Sequence, residues 1–320
     1  MPEVSEIISF LDKYELRRGG ESPWPSFDQN SRNFERSLVD WDALFPPGER
    51  TERLGNYEWD MYGDDWVPEF GQDFLSALEK ALSQDPPTET EIAQMAEANR
   101  WDVCAWYEPI HYYGSDWGIY VRMDCILSQA LRVARFLRKP APPSRSLARA
   151  LVRASTYAYF LHEQYHHKVE SLAIRLQVVE RHPIYIPYTN HVYLPAQGTD
   201  DQLEEALANA DIFRRLPTDP YEAWISSLVV KATRYYLSAT FPHEPPGYRK
   251  AVSYLGVTLF EAGENLLHSR VHEATLKPTQ PAADWLIATR LMQSLFRVTD
   301  NIWLLVTPGG RPMLPTQPWP

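Results

Sequence analysis

The sequence predicts a mainly α-helical protein, α+β in the broad sense, with a small extended component. Apolar residues recur at helical spacing over long stretches, proline-rich segments separate these stretches, and the strand-like segments are short and aromatic. Apolar residues make up 44% of the 320 residues and aromatic residues 13%, which is enough to bury a sizeable core. This composition excludes a disordered or fibrous chain, and no apolar stretch is long enough for an ordinary membrane-spanning helix.

The N-terminal part is predicted to be helical at both ends and irregular in between. Residues 1–18 have the apolar spacing of a short amphipathic helix. Residues 19–70 are rich in glycine, proline, aspartate and tryptophan, so we expect an irregular segment whose tryptophans pack on the rest of the protein. Two further helices are expected at 71–83 and 88–99, divided by a proline pair after Asp85.

The central part combines a strand-like segment with two long helices. Residues 104–114 (CAWYEPIHYYG) favour a strand followed by a turn, and residues 119–139 have the apolar pattern of a helix that prolines terminate. Ser144 or Ser146 can cap the next helix. Neither proline nor glycine interrupts that helix, so we expect it to extend to about residue 180.

The C-terminal part begins with an extended segment and continues with helices. Residues 184–195 (IYIPYTNHVYLP) favour short extended segments. A capping box formed by Thr199 and Gln202 opens the next helix, which Pro217 closes. Three more helical patterns follow, at 220–240, 248–275 and 281–298. A terminal hairpin around a Gly-Gly turn is expected at 302–315.

The acidic residues are concentrated near the N-terminus. Residues 1–110 carry 24 acidic and 9 basic side chains, out of 42 and 31 in the whole chain. We therefore predict an acidic, aromatic-rich N-terminal region (1–110) packed on a core (111–216), with a helical C-terminal region (217–320) after it. Because the net charge is −11, the phosphates of nucleic acid would repel the protein, and nucleic acid is not an expected partner.

Two cysteines and the N-terminal residues bear on the cellular location. Cys104 and Cys125 are too few for a disulfide framework or a four-cysteine zinc site, and we expect small buried residues in a reducing compartment. Acidic residues at Glu3, Glu6 and Asp12 interrupt the pattern that a signal peptide requires. We therefore expect a cytoplasmic protein with no membrane partner.

The pentapeptide His162-Glu163-Gln164-Tyr165-His166 lies on the long central helix. Two histidines four residues apart face the same side of a helix, so both imidazoles can bind one zinc ion. Glu163 lies about 100° around the helix from His162, where a carboxylate can take a proton from water bound to such an ion. The apolar run before the motif buries it, and buried histidines need a partner. The pattern therefore predicts a metal site.

The helix after the extended segment offers a third ligand. Glu205 is followed by Ala208 and Asn209 in an ExxAN pattern, and its neighbour Glu204 is a second candidate carboxylate. Together with the HExxH motif, this pattern resembles the zincin metallopeptidases of the gluzincin kind, in a layout similar to that of the ImmA/IrrE-like peptidases. The resemblance covers about residues 145–216.

The resemblance implies a helical zincin-like metallopeptidase core and an intracellular zinc-dependent peptidase. The Zn²⁺ ligands that it implies are His162, His166 and Glu205. The implied general base is Glu163, and the implied residue that orients a ligand is Asn209. The third ligand stays open between Glu205 and Glu204, because the gap before them is longer than in compact members of the family. A protein or peptide substrate is implied, such as a regulator or an antitoxin.

Other arrangements stay open at this stage. Glu170 can orient His166, or it can join His167 and the motif glutamate in a second carboxylate-rich site. The motif also contains an ExxH pair of the di-iron type, as does Glu108-x-x-His111, and two such pairs would favour a di-iron carboxylate oxidase. A zinc ion with four protein ligands would instead indicate a helical interaction protein with a structural zinc site.

Two further features bear on substrate binding. Donors that could stabilise a transition state surround the motif, and they are His111, Tyr112, His182, Tyr185, Tyr188, His191 and Tyr193. Residues 106–121 include an expected edge strand, which could bind an extended peptide by strand addition. Glu264, His268 and His272 share a helix face further on, and we expect them to be ordinary polar residues of that face.

Overall fold

The protein is mainly helical, as the sequence predicts. A computed structural model describes residues 4–13, 72–98, 101–114, 117–137, 142–216, 226–274 and 302–305. The predicted packing of segment 19–70, the predicted helix 281–298 and the predicted terminal turn lie outside the described residues. The division into three regions stays a prediction.

Helices account for most of the described chain. The first four are α1 (Val4–Lys13), α2 (Gln72–Ser83), α3 (Glu89–Ala98) and the single turn α4 (Trp101–Cys104). The next five are α5 (Ile110–Tyr113), α6 (Met123–Ala134), α7 (Arg145–Glu180), α8 (Tyr185–Tyr188) and α9 (Leu194–Ala196). The last described helices are α10 (Leu203–Arg215), α11 (Ser227–Thr240) and α12 (Val257–Glu273).

A three-stranded sheet packs against one side of α7. Its order is β1 (Ala105–Glu108), β2 (Gly118–Arg122) and β3 (Ile302–Leu305). β1 is antiparallel to β2, and β3 is parallel to it. Among the described residues β1 has a strand on one side only, so it is an edge strand, as predicted.

The predicted helix over 119–139 is wrong at its start, because its first residues form β2. Ile119 and Val121 are fully buried on the face that packs on α7, while Tyr120 stacks on Trp106 of β1 with ring centroids 5.6 Å apart. β-branched and aromatic residues pack well on a pleated surface, and this cross-strand pairing outweighs the helical periodicity that continues through them. The helix α6 begins only after Arg122.

The long helix α7 forms the centre of the fold. The Ser144 hydroxyl caps it by accepting a hydrogen bond from the Leu147 N–H at 3.1 Å, and it ends before Arg181, whose φ of 62° is left-handed. Its 36 residues extend over about 54 Å at 1.5 Å per residue. The sheet, α6 and α10 pack around it.

The segment 184–195 is helical, so the prediction of extended structure is wrong. α8 passes through a π-helical turn (Thr189–Tyr193, called the π turn below) into α9. Pro187 lies in the first turn of α8, where a missing N–H costs no intrahelical hydrogen bond. Tyr188 and Tyr193 of this segment bind α10 through their hydroxyls, and these contacts override the local preference for strands.

The predicted capping box before α10 does not form. α10 begins at Leu203, and the Thr199 hydroxyl accepts a hydrogen bond from the Asp201 N–H at 3.2 Å instead. The Gln202 Oε1 atom accepts one from the Gly198 N–H at 3.2 Å. Both side chains therefore stabilise the preceding turn rather than the helix.

The predicted helix over 248–275 divides into two elements. Tyr248–Tyr254 form a 3₁₀-helix, and α12 begins after Gly256. Gly263 then lets α12 approach α10 closely, because a Cβ atom at this position would lie 2.7 Å from Leu207 Cδ2. The helix pattern of the sequence is thus correct for α12, while the turn before it is tighter than periodicity indicates.

Cys104 and Cys125 are joined by a disulfide, which differs from the expectation that both stay reduced. Cys104 directly precedes β1 and Cys125 follows β2, and the antiparallel pairing of these strands brings the two Cα atoms to 5.5 Å. Disulfides are uncommon in reducing compartments, so a cytoplasmic location stays a prediction. None of the described helices combines the length and apolarity that crossing a membrane requires.

Glu264 on α12 has a partly buried carboxyl group, and we expect the free energy of unfolding to depend on its protonation. Burial, and secondarily Asp211, raise the pKa of Glu264 to about 7, although Lys168 and Arg214 oppose this rise. The folded protein therefore binds more protons at this site than the unfolded chain between about pH 4.5 and pH 7, and the stability contributed by protonated Glu264 is lost as the pH rises through this window.

Glu264→Gln is accordingly expected to stabilise the protein at pH 8, by on the order of 1–2 kcal/mol, and to have little effect at pH 5. Chemical unfolding at both pH values measures this difference. Glu273→Gln, an exposed change on the same helix, controls for the loss of one negative charge. An equal effect of Glu264→Gln at the two pH values would contradict the prediction.

Candidate metal centre

Two helices bring three potential ligand atoms together. His162 and His166 lie one turn apart on α7, with Nε2 atoms 3.4 Å apart. Glu205 on α10 places Oε2 at 3.2 Å from the Nε2 atom of His162 and at 3.5 Å from that of His166. Tetrahedral ligands at 2.0–2.1 Å from one ion are separated by about 3.3–3.4 Å. The triangle of atoms therefore has the size that a single metal ion requires.

The chemistry of this cluster also fits a cation. Glu205 Oε2 is buried and accepts no hydrogen bond, an unfavourable state for a carboxylate oxygen that a bound cation would relieve. Burial opposes ionisation of Glu205, but the charge of His166 and the contact with His162 hold the pKa of its carboxyl well below the usual value. Among the described residues, His162, His166 and Glu205 are the cluster that could hold a metal ion.

The neighbouring glutamate has a different role. The Oε1 atom of Glu204 lies 2.7 Å from Nδ1 of His166, and its Oε2 atom accepts a hydrogen bond from the Tyr188 hydroxyl at 2.5 Å. A carboxylate on the outer nitrogen of a ligand histidine fixes the ring and its tautomer. In this geometry Glu205 belongs to the cluster that could hold a metal ion, and Glu204 lies behind His166.

Glu170 does not orient His166, and it forms no second site with Glu163. Its carboxylate accepts hydrogen bonds from the Tyr107 hydroxyl, from the N–H groups of Ile110 and His111 at 3.1 and 2.9 Å, and contacts His111 Nδ1 at 2.6 Å. The reason is its position one turn beyond His166, where residues 107–111 cross α7. Glu170 thus holds the end of β1 on the motif helix.

His167 is likewise occupied away from the cluster. Its Nδ1 atom lies 2.7 Å from the Tyr107 hydroxyl and its Nε2 atom 3.2 Å from Ser171 Oγ, while its ring stacks on Trp117. Burial lowers the pKa of His167 to about 4, so the ring is neutral. It is not positioned to be a fourth ligand.

Asn209 acts on the cluster indirectly, contrary to the direct contact with a ligand histidine that we expected. Its amide donates a hydrogen bond to Glu244 at 2.7 Å, and the other oxygen of Glu244 accepts one from the Trp101 indole at 3.0 Å. The Trp101 ring stacks on the His162 ring with centroids 5.2 Å apart, and the Tyr248 ring also stacks on the His162 ring, at 5.9 Å. Residues far apart in the chain therefore support His162.

No sequence pattern points to Trp101, Glu244 or Tyr248. Glu244 follows proline-containing turns and Trp101 precedes a strand, and neither stands in a motif with His162. The feature that distinguishes Glu244 is the burial of its carboxylate, and burial is not visible in a sequence. These residues meet because α10 packs against α7, because the 3₁₀-helix Tyr248–Tyr254 packs against α10, and because a short 3₁₀ segment (Phe241–His243) packs on that 3₁₀-helix.

A cleft opens beside the cluster and contains about 900 Å³ of space, its open mouth included. The edge strand β1 lines it together with two of the potential ligands, His166 and Glu205, and the tyrosines of α8 and the π turn. Glu163 lines the same cleft as His166 and Glu205 and is 3% exposed. The described lining contains carboxylates and aromatic rings but no lysine or arginine. The predicted general base therefore stands at the wall of an open cleft.

Three of the candidate transition-state donors line the cleft, and the other four lie elsewhere. Tyr185, Tyr188 and Tyr193 line the cleft, and the Tyr193 hydroxyl donates a hydrogen bond to Glu205 Oε1. The remaining candidates lie elsewhere: His111 between Glu170 and Gln177, buried Tyr112, His182 beside Glu180, and exposed His191.

The di-iron arrangement finds no geometric support among the described residues. Glu108 lines the cleft at the end of β1, whereas His111 is held by Glu170, so this pair does not meet His162 and His166. The further histidine-containing pattern on α12 is dispersed as well, because its last member, His272, contacts Glu180 at 2.7 Å.

Comparison of the chain with protein-family models, with curated proteins and with solved structures finds no match. The case for a metal centre therefore depends on the geometry of the cluster and the chemistry of its donors.

Proposed function

We propose that the protein is a zinc-dependent peptidase in which Glu163 is the general base. The observation that carries the proposal is the convergence of two imidazole nitrogens and one carboxylate oxygen beside an open cleft, which His166, Glu205 and the separate Glu163 line. Two histidines and one carboxylate are a usual donor set for zinc in hydrolytic enzymes. His162, His166 and Glu205 would hold the ion.

The donor number favours a catalytic over a structural zinc. Structural zinc sites are closed by four protein ligands, whereas catalytic sites have three and keep a position for water or substrate. The described cluster has three members, and the nearest further candidates are engaged elsewhere: Glu204 with His166 and Tyr188, and His167 with Tyr107 and Ser171.

The proposed chemistry is hydrolysis of a peptide bond. A zinc ion held by these ligands would supply an acidified water and polarise the substrate carbonyl. Glu163 would take a proton from water in the cleft and pass it to the nitrogen of the scissile bond, so that the water oxygen bonds to the carbonyl carbon as the amine leaves. Glu204 keeps His166 oriented through its Nδ1 atom, so the ligand presents Nε2 throughout.

The proposed substrate is a protein or a peptide in an extended conformation. β1 lines the cleft and is an edge strand, so an extended chain can add to the sheet beside the cluster. The likeness to ImmA/IrrE-like peptidases extends the proposal to a cytoplasmic regulator or an antitoxin as the substrate.

A combined metal and cleavage measurement tests the proposal. Purified protein is expected to contain about one equivalent of zinc by elemental analysis, and to cleave members of a random peptide library. Chelation should remove both properties, and added zinc should restore both. Iron in place of zinc would favour the di-iron oxidase. Tightly bound zinc without cleavage, with four protein ligands in its X-ray absorption spectrum, would favour a structural zinc in an interaction protein.

A further inference from the structure

The π turn places two tyrosines on one side of the chain. Residues five apart in a regular α-helix lie about 140° apart around the axis, so Tyr188 and Tyr193 would face different directions. A π turn contains an additional residue, as the hydrogen bond from the Leu194 N–H to the Thr189 carbonyl records, and it brings residues five apart toward the same face. The two rings accordingly approach, with centroids 6.5 Å apart.

The two hydroxyls bind two consecutive glutamates of α10. Tyr188 donates a hydrogen bond to Glu204 Oε2 at 2.5 Å, and Tyr193 donates one to Glu205 Oε1. Glu204 in turn contacts Nδ1 of the ligand histidine His166, and Glu205 is itself in the cluster. Tyrosines at the two ends of the π turn therefore bind the carboxylate in the cluster, Glu205, and the carboxylate behind His166, Glu204.

The contact with Tyr193 distinguishes the two oxygens of Glu205. Oε1 accepts the hydrogen bond, whereas Oε2 points to the Nε2 atoms of His162 and His166 and accepts none. A carboxylate whose second oxygen is engaged binds an ion through one oxygen, and it leaves another coordination position available. Released from Tyr193, the carboxylate could turn and use both oxygens.

We propose that the π turn is a positioning device for the metal centre, in which Tyr193 keeps Glu205 a one-oxygen ligand and Tyr188 fixes the Glu204–His166 pair. This inference rests on the zinc site of the proposed function and adds the residues that set its coordination number. Both tyrosines are positioning residues, since they act through the carboxylates. π turns are rare and occur frequently at functional sites, because they re-aim side chains without breaking the helix.

Four single variants of the full chain, and one combination of two of them, separate this role from ordinary packing. Tyr188→Phe and Tyr193→Phe each remove one hydroxyl and keep the ring. Deletion of His191 converts the π turn toward a regular helical turn and rotates Tyr193 away from Glu205. His191→Ala is the matched control, because His191 is exposed and the substitution keeps the length of the turn.

Zinc affinity by competition with a chromophoric chelator is the first measurement. We expect both Phe variants to bind zinc roughly 10–100-fold more weakly than wild type, the usual effect of losing an outer partner of a ligand. Deletion of His191 should weaken binding as much as Tyr193→Phe does. Tyr193→Phe combined with the deletion of His191 should cause no further loss of zinc affinity. His191→Ala should bind zinc as wild type does.

X-ray absorption of the zinc-loaded proteins is the second measurement. Tyr193→Phe and the His191 deletion should gain a carboxylate oxygen in the zinc coordination shell, whereas Tyr188→Phe and His191→Ala should not. Wild-type affinity and an unchanged shell in Tyr193→Phe would overturn the inference, as would additive losses in the combined variant. In either case zinc bound by wild type would leave the proposed function standing, while a wild-type protein that binds no zinc would refute both.

Discussion

Glu205→Ala is expected to remove zinc from the purified protein, and His162→Ala and His166→Ala are expected to do the same. Each change deletes one of three ligand atoms that lie 3.2–3.5 Å from one another. Two remaining donors make an incomplete site, and we expect affinity to fall by roughly 10³-fold or more, about 4 kcal/mol. Elemental analysis after dialysis against a weak chelator measures the loss.

Glu204→Ala is the matched control for this prediction, because it removes the adjacent carboxylate of the same helix. Glu204 contacts His166 Nδ1 rather than the cluster, so zinc affinity should fall only about 10–100-fold and stoichiometric loading should survive at excess zinc. Circular dichroism checks that each variant folds. Full zinc content in Glu205→Ala together with its loss in Glu204→Ala would show that the third ligand is wrong by one residue.

Glu163→Gln is expected to abolish most of the proposed peptidase activity while leaving the proposed zinc in place. Glutamine keeps the size and much of the hydrogen bonding of glutamate, but it cannot accept a proton. Because Glu163 lines the cleft without belonging to the ligand cluster, zinc content and melting temperature should stay close to wild type. The turnover rate should fall by roughly 10²–10⁴-fold, the usual contribution of a positioned general base.

Glu180→Gln controls for the substitution itself. Glu180 lies on the same helix about 25 Å from Glu163, where it contacts His182 and His272, so turnover should not change. Loss of zinc in Glu163→Gln would make Glu163 a ligand, as a di-iron site requires. Unchanged turnover on a cleaved peptide would assign proton transfer to another group, and Glu108 is then the first candidate because it lines the same cleft.

Local sequence patterns predicted the helical part of the site. Serine before an uninterrupted helical stretch indicated the cap of α7, and Ser144 forms it. Four-residue spacing indicated that His162 and His166 share a face, and their Nε2 atoms are 3.4 Å apart. These features depend on the geometry of one helix, which backbone hydrogen bonds between near neighbours determine.

The same local reasoning failed where partners from elsewhere in the chain decide. The tyrosines of 184–195 favour strands by composition, yet the hydroxyls of Tyr188 and Tyr193 bind carboxylates of α10 and the segment is helical. Glu170 has the spacing to orient His166, yet residues 107–111 cross α7 at that turn and engage its carboxylate. In both cases a contact remote in sequence decides. For the tyrosines it outweighs strand preferences that span about 1 kcal/mol per residue.

The sequence by itself determined a mainly helical protein, the central helix and the pair of histidines on one of its faces. Only the tertiary structure decided that Glu205 joins them while Glu204 supports His166, and that Trp101, held by Glu244, stacks on His162. The physical reason is that consecutive residues of a helix point about 100° apart. Which of two adjacent glutamates reaches an ion therefore depends on how α10 is rotated against α7, and packing between helices sets that rotation.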